Sequence, residues 1–333
     1  MTDTAGTDPR LDALRAWLRR RGWPDGPLAS ASSDASFRRY FRLPAGDGCI
    51  VMDAPPGHED CRPFIRVAGL LEEAGLRPPP ILDADPEQGF LVLGDLGPET
   101  ALEQLQRGAA TADGLLRPAL DALVRWQAAT RPAVLPPFDA ALLERELRLF
   151  PDWYLRAHLG VTPTAAEGRA LEAWFRRLID RALAQPVVWV HRDYMLRNLM
   201  PGDPEPGILD FQDAVTGPVS YDLVSLLRDA FHSFPEATEW HWLCHYHGAA
   251  RAAGVPVPPQ PEALWSDCNW MGVQRHLKVL GIFARIRYRD GKPHYLADAP
   301  RFRTYLARAA AAEPELQSLV ELIDDLHGRA GGG

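Results

Sequence analysis

VVWVHRDYMLRNLMPGDPEPGILDFQDAVTGPVSYDLVSLLRD, residues 187–229, decides how the chain is read. Val187–Val190 is a short apolar run of the kind that fills a buried strand. HRDYMLRN follows at 191–198, then a turn rich in Pro and Gly. GILDF at 207–211 reads as a second strand, ending near Asp210. Two strands joined in this way predict a hairpin that presents Asp193, Asn198 and Asp210 from one edge.

A set of two carboxylates and an amide suits phosphoryl transfer. One carboxylate accepts the proton of the attacking hydroxyl or orients it. A carboxylate and an amide oxygen hold Mg²⁺ against the phosphates, and the metal neutralises developing charge. Asp193 suits the first role, Asn198 and Asp210 the second. The order H-R-D-x-x-x-x-N followed by D-F also matches the kinase arrangement. An isolated HRD carries no weight. The second Asp after a turn, with strands in both places, weighs against a polar hairpin of ordinary turn residues.

Outward from this segment the chain changes character twice. Leu11, Leu14, Trp17 and Leu18 recur at helical spacing and Gly22 stops them, which predicts an amphipathic helix. Residues 30–53 read as two or three antiparallel strands, PFIRVAGLLEEAGL (63–76) as a helix, and GFLVLGDLG (89–97) as a strand ending in a turn. From about residue 99 the pattern is mainly helical. A small β-rich front therefore precedes a larger helical part, with the break near 94–98.

The 333 residues are 46% apolar and 24% charged, ordinary for a globular protein. A formal charge of −8 argues against a broad nucleic-acid surface, which needs a basic face. No apolar run approaches the roughly 18 residues of a membrane span, and the opening MTDTAGTDPRLDALRAWLRRRG lacks a signal-type apolar core. Cys49, Cys61, Cys244 and Cys268 are scattered, which fits a reducing cytoplasm. The expectation is a cytoplasmic monomer acting on a small molecule, without nucleic-acid or membrane partners.

HRDYMLRN, ILDF and Tyr221-Asp222-Leu223 together resemble the aminoglycoside phosphotransferase and choline kinase superfamily. That resemblance implies an α+β, bilobal protein-kinase-like fold. Residues 1–95 would form a small antiparallel β-sheet lobe on the nucleotide-phosphate side, and 96–330 a larger, mainly helical lobe. It implies ATP and Mg²⁺ as cofactors, and structural roles for His191 and for Asp222, which ties the catalytic loop. SDASFRRYFRL, VMDAPP, LGDLG and QRHLKVLGIFARIRYRDGKPHYL extend the likeness from about residue 30 to 300. They resemble the bacterial anomeric kinases of N-acetylmuramate and N-acetylglucosamine, which phosphorylate the C1 hydroxyl of sugars recovered from the cell wall.

The same likeness places a phosphate-covering hairpin at 32–42, where Ser32, Ser33 and Ser36 let hydroxyls and N–H groups approach phosphate oxygens. It places a hinge at Leu93–Asp95, whose backbone would meet adenine. The third strand of such a lobe usually carries a lysine, yet no lysine precedes Lys278. Either Arg38, Arg39 or Arg42 substitutes, or Mg²⁺ and backbone groups suffice. A catalytically silent nucleotide-binding regulator is the reading that this gap would favour. On the acceptor side, Arg275 and Lys278 lie on a predicted helix and suit the lactyl carboxylate of N-acetylmuramate, or are simply a solvated helix face. Their charge argues against a cationic acceptor such as choline or an aminoglycoside; homoserine is a further alternative.

Overall fold

The computed structural model describes residues 8–24, 26–32, 37–43 and 48–331. Ser33 and Ser36 lie outside these residues. Ser32 closes the first strand, and its side chain is likewise not described.

Five antiparallel strands open the molecule: β1 (Ala29–Ser32), β2 (Arg39–Arg42), β3 (Cys49–Asp53), β4 (Ile81–Asp85) and β5 (Phe90–Gly94). Their spatial order is β1-β2-β3-β5-β4. Side chains alternate across a pleated sheet, and β3 and β5 use this to bury both faces. Cys49, Val51, Phe90 and Val92 pack under helix α1 (Pro9–Arg20), against Leu14, Trp17 and Leu18. Asp8 caps α1 by accepting N–H bonds from Arg10 and Leu11. Met52, Leu91 and Leu93 face the other way and join the main core with Phe64 and Leu71 of α2 (Arg62–Glu73). The sequence reading misses β4. Prolines 78–80 and two aspartates disguise it, and as an edge strand it needs only one apolar face.

The chain then becomes helical: α3 (Ala101–Gln106), α4 (Ala112–Ala128), α5 (Ala140–Leu149) and α6 (Ala165–Leu183). Between α5 and α6 the helix widens into a π-helical stretch, Phe150–His158. Pro151 sits at its start and has no N–H to continue the tighter ladder.

Four short strands follow: β6 (Val187–Val190), β7 (Leu199–Met200), β8 (Gly207–Ile208) and β9 (Val215–Pro218). Here the expected hairpin is corrected. Val187–Val190 pairs with Val215–Pro218, whereas the 207–208 segment pairs with 199–200. The loop that carries Asp193 and the turn that carries Asp210 are thus nested inside the β6–β9 pair.

Helices α7 (Tyr221–Leu227), α8 (Glu236–Ala252), α9 (Pro261–Asp290), α10 (Ala299–Ala312) and α11 (Gln317–Gly328) complete the fold. The long α9 is buried for most of its length and ends at Gly291 in the left-handed region. Gly281 lets it touch α5: a Cβ there would lie 2.4 Å from the Leu149 carbonyl carbon. No helix among the described residues is long and apolar enough to cross a membrane.

Candidate active site

The segment 191–198 is pinned from below by two buried carboxylates. Asp222, in the first turn of α7, accepts N–H bonds from His191 (2.6 Å) and Arg192 (2.9 Å). Asp229 accepts from Leu196 (3.1 Å) and Phe231 (2.7 Å). Burial pushes the Asp222 pKa up to about 7, while its two backbone N–H bonds favour the charged form. His191 is enclosed as well. Its Nε2 lies 3.0 Å from the Leu209 carbonyl, and its Nδ1 is 3.3 Å from the Asp193 N–H. A donor at Nε2 and an acceptor at Nδ1 describe a neutral ring, and burial lowers its pKa to about 4. The imidazole ties the Asp193 turn to the Asp210 segment.

Two residues here hold the left-handed backbone conformation: Arg192 at φ 76° and Asp210 at φ 59°. Non-glycine residues rarely adopt it, and such strain clusters at functional sites. The Arg192 turn is held by Asp222. Phe211 anchors the next one by packing on Phe64, with ring centroids 4.6 Å apart.

Asp193, Asn198 and Asp210 converge. Asn198 Nδ2 donates to the Asp193 carbonyl (2.9 Å), which leaves Oδ1 as an acceptor. Asp210 Oδ1 accepts from Gln212 Nε2 at 2.9 Å. About half of the Asp210 side chain, 49%, is open to the cleft. Enclosure by the cleft walls, and then the charge of Asp193, raise its pKa to about 6. Burial alone would raise Asp193 too, but Lys278, Arg275 and Arg192 together hold it below the usual carboxylate range. Asn198 and Asp210 offer one amide oxygen and one carboxylate beside crowded negative charge. Mg²⁺ takes one or two hard protein oxygens and completes its shell with phosphate and water, so this donor set fits it.

Asn198 and Asp210 close one end of a cavity of about 510 Å³ between the sheet and the helical part. Tyr40, Ile50, Leu93, Met200 and Leu209 form apolar walls. Leu93 faces this cavity, but the N–H groups of Gly94 and Asp95 are committed to the Pro80 (2.8 Å) and Gly48 (2.7 Å) carbonyls. The Asp95 carboxylate holds Arg42 at 2.7 and 3.1 Å.

The three arginines on β2 and beside it separate. Arg39 points to the α1 side, where Asp53 takes its Nε and Nη2 at 3.0 and 2.6 Å and Asp8 takes Nη1. It is therefore removed from the candidates for the missing lysine. Arg38 and Arg42 share the cavity side. Arg38 is 2.9 Å from Glu59 and 4.0 Å from Asp210. Met52, fully buried, occupies the cavity-side position of β3.

Arg275 and Lys278 do not form an open acceptor surface, which corrects their reading as carboxylate ligands. They are 2% and 5% exposed. Arg275 Nη2 bonds Ser225 Oγ (2.5 Å), and Lys278 Nζ bonds Tyr221 OH and Glu146, both at 2.9 Å. The inference that a basic helix excludes a cationic acceptor loses its footing with them. Glu146 escaped the sequence reading, although a carboxylate inside the apolar stripe Leu143, Glu146, Leu147 was the available signal.

Residues 28–254 match the phosphotransferase enzyme family. The chain belongs to that family. The N-acetylmuramate/N-acetylglucosamine kinase of Pseudomonas aeruginosa is 53% identical, with 96% of this chain and 97% of that one aligned. The enzyme of the same name from Neisseria meningitidis is 44% identical over 95% of each. Among solved structures, choline kinase LicA from Streptococcus pneumoniae superposes with a TM-score of 0.64 at 13% identity, covering 91% of this chain and all of that one. A choline/ethanolamine kinase family protein from Mesorhizobium loti gives 0.62 at 18%, covering 96% and 99%. At such identities these neighbours establish the bilobal protein-kinase-like fold, as the motif reading expects. Family and relatives make the chain an ATP-dependent phosphotransferase.

Proposed function

We propose that this enzyme transfers the γ-phosphate of ATP to the anomeric C1 hydroxyl of N-acetylmuramate or N-acetylglucosamine. Asn198 and Asp210 line one cavity, and Asn198 is hydrogen-bonded to the Asp193 turn; this grouping carries the kinase part. Near-full-length similarity to kinases named for these two sugars supports the acceptor. The reading includes a monomeric cytoplasmic enzyme, with residues 1–95 as the nucleotide lobe and 96–330 as the catalytic and acceptor lobe.

Asp193 orients the C1 hydroxyl and takes its proton as the bond to phosphorus forms. An anomeric hydroxyl is more acidic than an ordinary alcohol, so placement matters more than base strength. Asn198 and Asp210 would hold Mg²⁺, which when bound neutralises phosphate charge and aligns the γ-phosphate. Arg38 supplies the contact that a third-strand lysine gives elsewhere, with Glu59 orienting it as a carboxylate orients that lysine. A guanidinium holds phosphate oxygens bidentately, so the exchange costs no binding capacity. Adenine lies between Ile50, Leu93 and Leu209. His191 and Asp222 act as scaffold.

The test is sugar-dependent ADP release by wild type and by Asp193→Asn, with choline, homoserine and aminoglycosides as competing acceptors. Amino-sugar turnover should fall by about 10²- to 10⁴-fold in the variant. Near-normal turnover in the variant, or preference for another acceptor, overturns the reading.

A further inference from the structure

Glu146 lies on α5, 45 residues before His191, and touches neither the cavity nor the loop backbone. It is nevertheless the meeting point of the charges around Asp193. Its Oε1 accepts from Arg192 Nη2 at 2.6 Å and from Lys278 Nζ at 2.9 Å, and Oε2 accepts from Gln274 Nε2 at 3.2 Å. The carboxylate is 4% exposed and Lys278 5%. Lys278 Nζ also donates to Tyr221 OH at 2.9 Å. Elements distant in sequence thus meet at one carboxylate: α5, the catalytic loop and α9.

Arg192 gives this junction its reach. Its backbone N–H is tied to Asp222, its φ is 76°, and its guanidinium lies 3.4 Å from the Asp213 carbonyl, beyond Asp210. One side chain therefore spans the Asp193 turn and the Asp210 segment, and Glu146 sets its direction.

Cohesion alone is a poor account of the cluster. A buried ion pair seldom stabilises more than apolar side chains of the same volume. Here two cations face one carboxylate, so a positive charge is left over, and Asp193 lies within its influence. The polar network is also incomplete: Arg192 Nε and Gln274 Oε1 are buried without partners. A device for stability would be closed and neutral.

We infer that Glu146 is a positioning residue, which through Arg192 and Lys278 fixes the catalytic loop and the positive field around Asp193. The role rests on Asp193 being the group that meets the acceptor hydroxyl.

The experiment compares wild type, Glu146→Gln and the double variant Glu146→Gln/Lys278→Met by kcat, KM for each substrate, and Tm. Glu146→Gln leaves two cations, Arg192 and Lys278, without their shared carboxylate, so Tm falls. Misplacing the loop should lower kcat by about tenfold or more, with at most a smaller rise in KM for MgATP, because Asn198 and Asp210 also line the nucleotide cavity. The double variant leaves only Arg192 unpaired and should recover part of the Tm while kcat stays low. Recovery of kcat together with Tm, or a Glu146→Gln enzyme with wild-type kcat, overturns the inference. If Glu146→Gln does not fold, the double variant decides alone: wild-type kcat overturns the role, low kcat of the folded fraction supports it. Wild type in the same assay tests the amino-sugar reading separately. Should it fail there, slow MgATP hydrolysis, with water in the acceptor's place, carries the same comparison between variants.

Discussion

Arg38 and Arg39 are neighbours of identical chemistry with opposite fates. Arg39 lies on the α1 side of the sheet, where Asp53, fully buried, is held between it and Arg10 at 2.6–3.0 and 2.7 Å. Donors and acceptors there satisfy one another, and no charge is left for a ligand. Arg38 lies on the cleft side, 2.9 Å from Glu59 and 4.0 Å from the open Asp210 carboxylate. The period-two alternation of a strand separates the two. One face of the sheet becomes a structural ion cluster and the other turns a guanidinium toward Asp210. A residue's role in this lobe follows from its face more than from its type.

The closed face should break through stability. Asp53→Ala leaves Arg10 and Arg39 without their shared carboxylate. Both arginines are partly exposed, at 27% and 35%, and so can turn to water. The cost is therefore expected at the low end for a broken buried pair, about 3 kcal/mol, read as a shift in urea midpoint. The kcat of the folded fraction should hold. A large drop in kcat with unchanged stability would erase the distinction between the faces.

The open face should break through turnover. Arg38→Ala is expected to lower kcat/KM for MgATP about a hundredfold, the scale of losing one charge-stabilising donor, or about 2.7 kcal/mol. Arg38→Lys should restore part of it; Arg38 is 9% exposed and paired with Glu59, so Tm falls as well and kcat/KM is read on the folded fraction. If Arg38→Ala keeps kcat/KM and Arg42→Ala loses it, the phosphate contact belongs to Arg42.

How far the sequence carried differs along the chain for physical reasons. The candidate triplet can be picked out because Asp193 and Asn198 share one tight loop, so their spacing is local. The first helix and strands β3 and β5 were legible from periodicity. Strand pairing was not: the partner of Val187–Val190 lies beyond Asp210, and a nearer apolar run at 207–211 offered a false match. The sequence leaves Arg39 among the phosphate candidates because the register of β2 depends on a bulge in β1, between Ser30 and Ser32, and on pairing with β3. For Arg275 and Lys278 the sequence offers only an acceptor contact or a solvated helix face, because charge on a helix is usually accessible. Nothing local to α9 tells that α5, which it meets closely at Gly281, covers them and supplies Glu146.

The contrast between closed and open groups extends to the catalytic loop, where His191 is closed on backbone as Asp53 is on arginine. Both ring nitrogens are engaged, and burial holds the folded pKa near 4, against about 6.5 in the unfolded chain. Above pH 6.5 both states are neutral and the ring contributes no pH dependence. Between 6.5 and 4 only the unfolded chain takes up the proton, so stability is lost as pH falls, by about 2 kcal/mol at pH 5. Asp210 and Asp222, with pKa values raised to about 6 and 7, respond in the opposite sense. A single wild-type curve mixes these effects, so the informative quantity is a difference. Gln at position 191 keeps a donor for the Leu209 carbonyl but cannot take a proton. Unfolding free energies of wild type and His191→Gln, measured from pH 7.5 to 5, should therefore diverge, with wild type losing about 2 kcal/mol more. Parallel curves would mean that the ring is protonated in the folded loop, and His191 would move from the closed class to the open one.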